Sequence, residues 1–244
     1  MALAFDFGNT SIKIGIWLSD TLLPSNVFTF LHNQKSEFAS FVKKQNQSTN
    51  VIISSVAGHN TNYNLVLSYF ENTTILNYQV KLPFAINYDT PETLGKDRIA
   101  ACAAATIMYA HRPLLVIDAG TCITYDFINE TNTYIGGAIS PGIVTKLKAM
   151  HQFTQKLPFA QINTDYQPFT PQKSTKTCLL EGAYAGTIHE IRGFIATFGM
   201  HKSLKVVFTG GFGEYLADKV ENSTFAAPNL VLVGLQQIRK LNAG

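Results

Sequence analysis

Two short segments place an aspartate, a glycine and a set of hydroxyls in the same order. Asp6-Phe7-Gly8-Asn9-Thr10-Ser11-Ile12-Lys13 stands near the start, and Asp118-Ala119-Gly120-Thr121-Cys122-Ile123-Thr124 near the middle. In each, an apolar run enters D-x-G-[NT] and an alternating run leaves it, the pattern of two strands joined by a tight turn. Glycine lets backbone N–H groups approach an anion closely, and Thr10, Ser11 and Lys13 can donate to phosphate oxygens. A carboxylate beside phosphates repels them unless a cation lies between. Mg²⁺ suits that place, because it takes one or two carboxylates together with phosphates and water. A single D-x-G would equally suit a turn stabilised by its own aspartate. Two copies in two halves point instead to a pair of phosphate hairpins closing on a nucleotide in a cleft between them. In the second copy Thr121 and Thr124 supply hydroxyls for the distal phosphates, Asp118 can hold a cation, and Cys122 is expected on the buried face of its hairpin.

A third block, Leu94-Gly95-Lys96-Asp97-Arg98, precedes a stretch rich in alanine. Asp97 falls in the first turn of the predicted helix, where the macrodipole favours an anion. An ionised aspartate there can accept a hydroxyl proton, the catalytic-base task in phosphoryl transfer. Arg98 offers bidentate recognition of a carboxylate. Taken alone, the block also fits an ordinary helix start. Gly136-Gly137-Ala138-Ile139-Ser140-Pro141-Gly142 and Thr209-Gly210-Gly211-Phe212-Gly213 each run from a strand towards a helix. They fit tight connections, and also backbone brought close to a phosphate, a ring or a sugar.

The elements that must position these groups follow from periodicity. In the first half, strands are expected at Asn26–Phe30, Val51–Ser55 and Thr74–Leu76, with helices at Ser36–Lys44 and Tyr63–Phe70. In the second, a strand is expected at Tyr134–Ile139 and a helix at Gly142–Met150. An irregular stretch with Pro158, Pro168 and Pro171 follows, then a helix at Thr177–Phe198, a strand at Lys205–Thr209 and a helix at Val231–Leu241. Ile12, Ile14 and Ile16 share one strand face, and Ser11, Lys13 and Gly15 the other. Ala100, Ala101, Ala103, Ala104 and Ala105 favour a helix over Ile99–Tyr109, and their small side chains permit close packing, between elements of one chain or between two copies of it. The fold class is α/β, as two half-domains with mixed, hairpin-led sheets, 1–111 and 112–244.

The chain has 244 residues, enough to bury a sizeable core. Apolar residues at 46% against charged residues at 14% exclude disorder as the main state. The net charge of +3 is spread without a Lys/Arg run, so nucleic acid is not the expected partner. The three cysteines form no C-x-x-C pair, and the six histidines are scattered, so neither a zinc site nor a disulfide framework is indicated. No signal peptide and no membrane span are read, and the expected location is cytoplasmic.

Together the blocks resemble type III pantothenate kinase, from Asp6 to Gly211. The D-x-G blocks are shared with the wider acetate and sugar kinase, heat-shock ATPase and actin superfamily; Gly95-Lys96-Asp97-Arg98 before an alanine-rich helix makes the match specific. The resemblance implies a duplicated ribonuclease-H-like fold and transfer of the ATP γ-phosphate to pantothenate to give 4'-phosphopantothenate, the first step of coenzyme A biosynthesis. It implies that Asp97 accepts the proton, that Tyr88 and Gly95, Lys96, Asp97 and Arg98 line the pantothenate site, and that Asp6, Phe7, Gly8, Asn9, Thr10, Ser11, Ile12, Lys13 and Thr121 form the ATP site. It further implies Mg²⁺ reaching Asp6 through ATP, K⁺ or NH₄⁺ at Asp118, and a homodimer in which Thr175, within Gln172-Lys173-Ser174-Thr175 where the family often has G-K-N-T, reaches the other subunit's substrate. Another small-molecule phosphotransferase or a phosphatase is the alternative within the superfamily. A non-catalytic binding protein is the alternative outside enzymes, but the intact Asp6, Asp97 and Asp118 weigh against it.

Overall fold

The computed structural model describes residues 1–56, 58, 60–163, 165–198, 203–220 and 224–243. In chain order its elements are β1 (Ala2–Phe7), β2 (Ser11–Trp17), β3 (Asn26–Leu31), α1 (Lys35–Lys43), β4 (Asn50–Ser55), α2 (Thr61–Tyr69), β5 (Asn72–Ile75), β6 (Ala85–Ile86), a 3-10 turn at Pro91–Thr93, α3 (Lys96–Met108), β7 (Leu114–Ala119), β8 (Cys122–Ile128), β9 (Thr133–Pro141), α4 (Ile143–Gln152), α5 (Thr175–Phe198), β10 (Lys205–Thr209), α6 (Gly213–Lys219), β11 (Thr224–Ala226) and α7 (Leu230–Asn242). They form two compact units. The first comprises Met1–His111, Asn132–Ile135 and Asn229–Gly244, the second Arg112–Thr131 and Gly136–Pro228.

The first unit is built on a sheet of order β3-β2-β1-β4-β5. β1 runs antiparallel to β2 and parallel to β4, and β4 runs parallel to β5. Alternation along β1 sends Leu3, Phe5 and Phe7 to one face, where they join Ile12, Ile14 and Ile16 under Phe38 and Val42 of α1 and Tyr63 and Val66 of α2. The other face of β1 presents Ala2, Ala4 and Asp6, and α7 packs on β1, β2 and β4. Small residues dominate there. The alanines of α3 are 0–1% exposed, and a Cβ added at Gly234 of α7 would run into the Ala100 carbonyl. Those alanines are therefore spent inside this unit, between α3 and α7, and do not form a surface for a second copy. The β6 residues Ala85 and Ile86 pair with Thr133 and Tyr134 at the start of β9.

The second unit repeats the plan. Its strands lie in the order β9-β8-β7-β10-β11, the counterpart of β3-β2-β1-β4-β5. β7 is antiparallel to β8 and parallel to β10, and β10 is parallel to β11. Leu115, Ile117, Ala119, Ile123 and Tyr125 pack with α4, α5 and α6 in one core. α5 begins at Thr175 rather than Thr177, because the Ser174 hydroxyl accepts the Thr177 N–H at 3.3 Å and the Ser174 carbonyl accepts that of Cys178 at 2.9 Å.

Two sequence expectations change. The reading of 112–244 as one half-domain does not hold for Asn132–Ile135, which pairs with β6, nor for Asn229–Gly244, since α7 buries Leu230, Leu232, Val233, Leu235 and Ile238 in the first unit. Cys122 is exposed rather than buried, because it sits at the rim of the β7–β8 turn, on the face opposite Ile123 and Tyr125.

In an exposed helix Gly→Ala stabilises by roughly 1 kcal/mol. At Gly234 the sign should reverse. Gly234→Ala is expected to lower stability by about 1–3 kcal/mol through overpacking, read as a fall in the urea midpoint at unchanged slope. An unchanged midpoint would show that α3 and α7 can separate without cost.

Candidate functional site

Each unit carries one D-x-G hairpin. In the first, Phe7 pairs with Ile12 and Asp6 with Lys13, and the Gly8 N–H donates to the Ser11 carbonyl at 3.0 Å. Phe7 and Ile12 are fully buried, so only their backbone can serve a ligand. Asn9 and Thr10 stand exposed at the tip. The Asp6 side chain lies on the α3–α7 face. The Ser54 hydroxyl, on the parallel neighbour β4, donates to Asp6 Oδ1 at 2.7 Å.

Burial raises the Asp6 carboxyl to about 6, and the charge of Asp97 adds to the rise; the Ser54 hydrogen bond and Lys13 oppose it. Asp97 is thus an electrostatic neighbour of Asp6, although 91 residues separate them in sequence (97 − 6). Two carboxylates that feel each other's charge fit a divalent cation. Among the described residues no cluster of three or more His, Cys, Asp or Glu completes a protein cage, so phosphate oxygens and water would supply the remaining ligands.

Asp97 occupies the first turn of α3, and its Oδ1 accepts the Arg98 backbone N–H at 2.8 Å. A Cβ at Gly95 would lie 2.6 Å from that same oxygen. The glycine of G-x-D-R is therefore explained by the carboxylate folded over it. Lys96 is half-buried. Arg98 is 7% exposed, and its Nη2 donates to the Tyr134 hydroxyl at 2.9 Å. Tyr134 meets Tyr88 edge-on, with ring centroids 5.8 Å apart. Tyr88 and Arg98 thus come together at Tyr134, which sequence reasoning missed. No local signal marks it, since Tyr134 reaches Arg98 only through the β6–β9 pairing.

The second hairpin is held differently. The Thr121 carbonyl accepts the Gly142 N–H at 3.0 Å and the Thr145 hydroxyl at 2.6 Å, which ties the hairpin to the start of α4. Thr121 and Cys122 are exposed. Gly210, at φ +87°, brings the β10–α6 turn against Asp118 and Ala119, where a side chain would strike Asp118 Oδ1. Thr124 pairs with Asp118 across β7–β8, so both side chains share one sheet face. The Thr124 hydroxyl is buried without a hydrogen-bond partner. An orphaned oxygen on the face of a carboxylate fits an oxygen-ligated cation. Thr175 stands exposed at the first position of α5.

A model of the family described as type III pantothenate kinase matches residues 2–197. A type III pantothenate kinase from Christiangramia forsetii is 37% identical over 246 residues, 99% of this chain and 99% of the relative. The chain belongs to the type III pantothenate kinase family. Among solved structures, a Campylobacter jejuni protein assigned to the Baf family of transcriptional activators aligns with a TM-score of 0.66 and 26% identity over 98% of each chain. A Sinorhizobium meliloti protein assigned as a 2-dehydro-3-deoxygalactonokinase aligns at 0.57 and 13%, again over 98% of each chain. That likeness concerns the fold alone. With the repeated strand order it gives this pantothenate kinase family member a duplicated ribonuclease-H-like fold.

Glu190 of α5 is a second residue that the sequence reading missed. It accepts the Tyr125 hydroxyl at 2.7 Å, the Lys146 ammonium at 2.8 Å and the Ser140 hydroxyl, and so fixes the Gly136–Gly142 segment to its unit. Burial alone would raise its carboxyl; the bonds from Lys146, Ser140 and Tyr125 outweigh that and hold it below the usual glutamate range. The unfolded carboxyl titrates near ~4.3. The stabilisation is therefore complete above that pH and is lost as pH falls towards the lower native value. Wild-type stability should drop on acidification through this window, and Glu190→Gln should be less stable at neutral pH with a shallower slope there. Parallel pH profiles for the two proteins would remove Glu190 from this role.

Proposed function

We infer that the protein transfers the γ-phosphoryl group of ATP to the primary hydroxyl of pantothenate, giving 4'-phosphopantothenate for coenzyme A synthesis. The observation that carries this reading is the meeting of Asp97, at the start of α3, with Asp6 of a phosphate-type hairpin, in a chain of this family. Asp97 accepts the hydroxyl proton as the oxygen attacks. Gly95, Lys96, Arg98 and Tyr88 bind pantothenate, with Arg98 held in place by Tyr134. Residues Asp6 to Lys13 and Thr121 bind ATP, with Phe7 and Ile12 contributing backbone only. Mg²⁺, when bound beside Asp6, offsets the phosphate charge. The test is ATP-dependent phosphorylation of pantothenate by the purified protein. Asp97→Asn should lower kcat by about 10²-fold or more while ATP binding, read by calorimetry, persists. Near-normal turnover would refute the assignment.

Asp118 and Thr124 hold a monovalent cation, K⁺ or NH₄⁺, beside the second hairpin. The support is the orphaned Thr124 hydroxyl on the face of Asp118. Activity in a Na⁺ buffer should be low and should return on adding either ion. Asp118→Asn should raise the concentration needed. Full activity without K⁺ or NH₄⁺ would dismiss the site.

The working form is a homodimer acting in the cytoplasm, in which Thr175 of one subunit completes the other's pantothenate site. The family resemblance and the exposure of Thr175 support this. Mixing Asp97→Asn and Thr175→Ala subunits under exchange should restore up to about a quarter of wild-type activity, because half of randomly paired dimers hold one intact site. No recovery after demonstrated exchange would assign each site to a single subunit.

A further inference from the structure

Beside the tip of the first hairpin lies a cavity of about 350 Å³, lined by Asn9, His32, Lys35, Asn60, Thr61 and Asn62. Every one of these side chains can donate a hydrogen bond, and none is acidic. Lys35 opens α1 and is the one full positive charge among the described lining residues. Asn60 caps α2, its side chain accepting the Tyr63 N–H at 3.0 Å. The first-turn N–H groups of Thr61 and Asn62 are left without an intrahelical carbonyl, as at any helix start, and the helix dipole adds partial positive charge there.

Asn62 points independently to a ligand. It is 5% exposed, yet its side-chain amide makes no hydrogen bond to any described residue. Its amide is not among the polar atoms sealed from solvent; it opens on the cavity, where an entering acceptor can give it a fixed partner.

We propose that this cavity is a binding site for an oxyanion of the phosphate class, gripped by Lys35, Asn62 and the start of α2. Its volume is that of a small-molecule site rather than of one ion, so it accommodates either free phosphate or the phosphate of a small monoester. Occupancy would reach the first hairpin directly. His32 Nε2 donates to the Gly8 carbonyl at 2.8 Å, and Asn9 belongs to both the hairpin tip and the cavity wall. The proposal does not depend on the kinase reading, because its principal residues, Lys35, Asn60, Thr61 and Asn62, lie outside the groups assigned there to ATP and pantothenate.

The test titrates the intact, nucleotide-free protein with inorganic phosphate and separately with glycerol phosphate, following the backbone amide resonances of Thr61 and Asn62. Saturable shifts at both amides are expected. Tighter binding of the monoester would identify an organic phosphate as the ligand, and tighter binding of inorganic phosphate the free ion. Lys35→Ala and Asn62→Ala should each weaken binding by roughly tenfold, the loss of one charge-assisted or buried hydrogen bond, and Lys35→Arg should keep most of it. Asn62→Ala should melt no lower than wild type without phosphate, since its amide loses no partner, and should lack the stabilisation that phosphate confers on wild type. Both alanine variants should hold ATP affinity within about twofold, a change below ~0.5 kcal/mol. Absence of saturable shifts with either probe, undiminished binding in both variants, or ATP affinity falling in parallel with phosphate affinity would each overturn the proposal. The first two outcomes leave the kinase reading intact, and that reading fails separately if Asp97→Asn remains active.

Discussion

A missing methyl group governs how α3 lies in its unit. Gly234 of α7 meets the Ala100 carbonyl with no space for a Cβ, and the alanines of α3 fill the rest of that contact. α7 in turn packs on β1, β2 and β4. This small-residue layer fixes the approach of α3 to the face of β1 that carries Asp6, and with it the position of Asp97 in the first turn of the helix. A bulkier layer would lift α3 and separate the two carboxylates. The chemistry assigned to the first unit therefore rests on packing between side chains that take no part in it.

The two hairpins answer the same need with different supports. The first is braced from below by Ser54 on Asp6 and from the side by His32 on Gly8. The second is braced by the start of α4, through Gly142 and Thr145 on Thr121, and by the glycine turn after β10 against Asp118. Their polar surroundings differ accordingly. Asp6 feels a second carboxylate and a lysine, which suits a divalent ion shared with phosphates. Asp118 shares its face with the orphaned Thr124 hydroxyl, which suits a weakly held monovalent ion. Duplication preserved the strand order while the side chains around each aspartate diverged.

The sequence by itself determined much of this protein. Alternation at Ile12, Ile14 and Ile16 fixed the buried face of β2, and the repeated D-x-G blocks disclosed the duplication, because both signals are local and set by backbone geometry. Asp6, Asp97 and Asp118 were legible as chemical groups for the same reason: a carboxylate in a glycine turn or a helix start needs an explanation that its neighbours in sequence supply. Tertiary structure alone decided what those groups meet. Ser54, Tyr134, Glu190 and Asn62 gave no local signal, since each acquires its role from a partner or a cavity wall distant in sequence. Cys122 turned outward because alternation puts it on the face opposite Ile123 and Tyr125, at the exposed rim of the turn. The last helix joined the first unit because its apolar face and Gly234 fit only the small-residue layer over β1, a surface that exists only once the chain has folded.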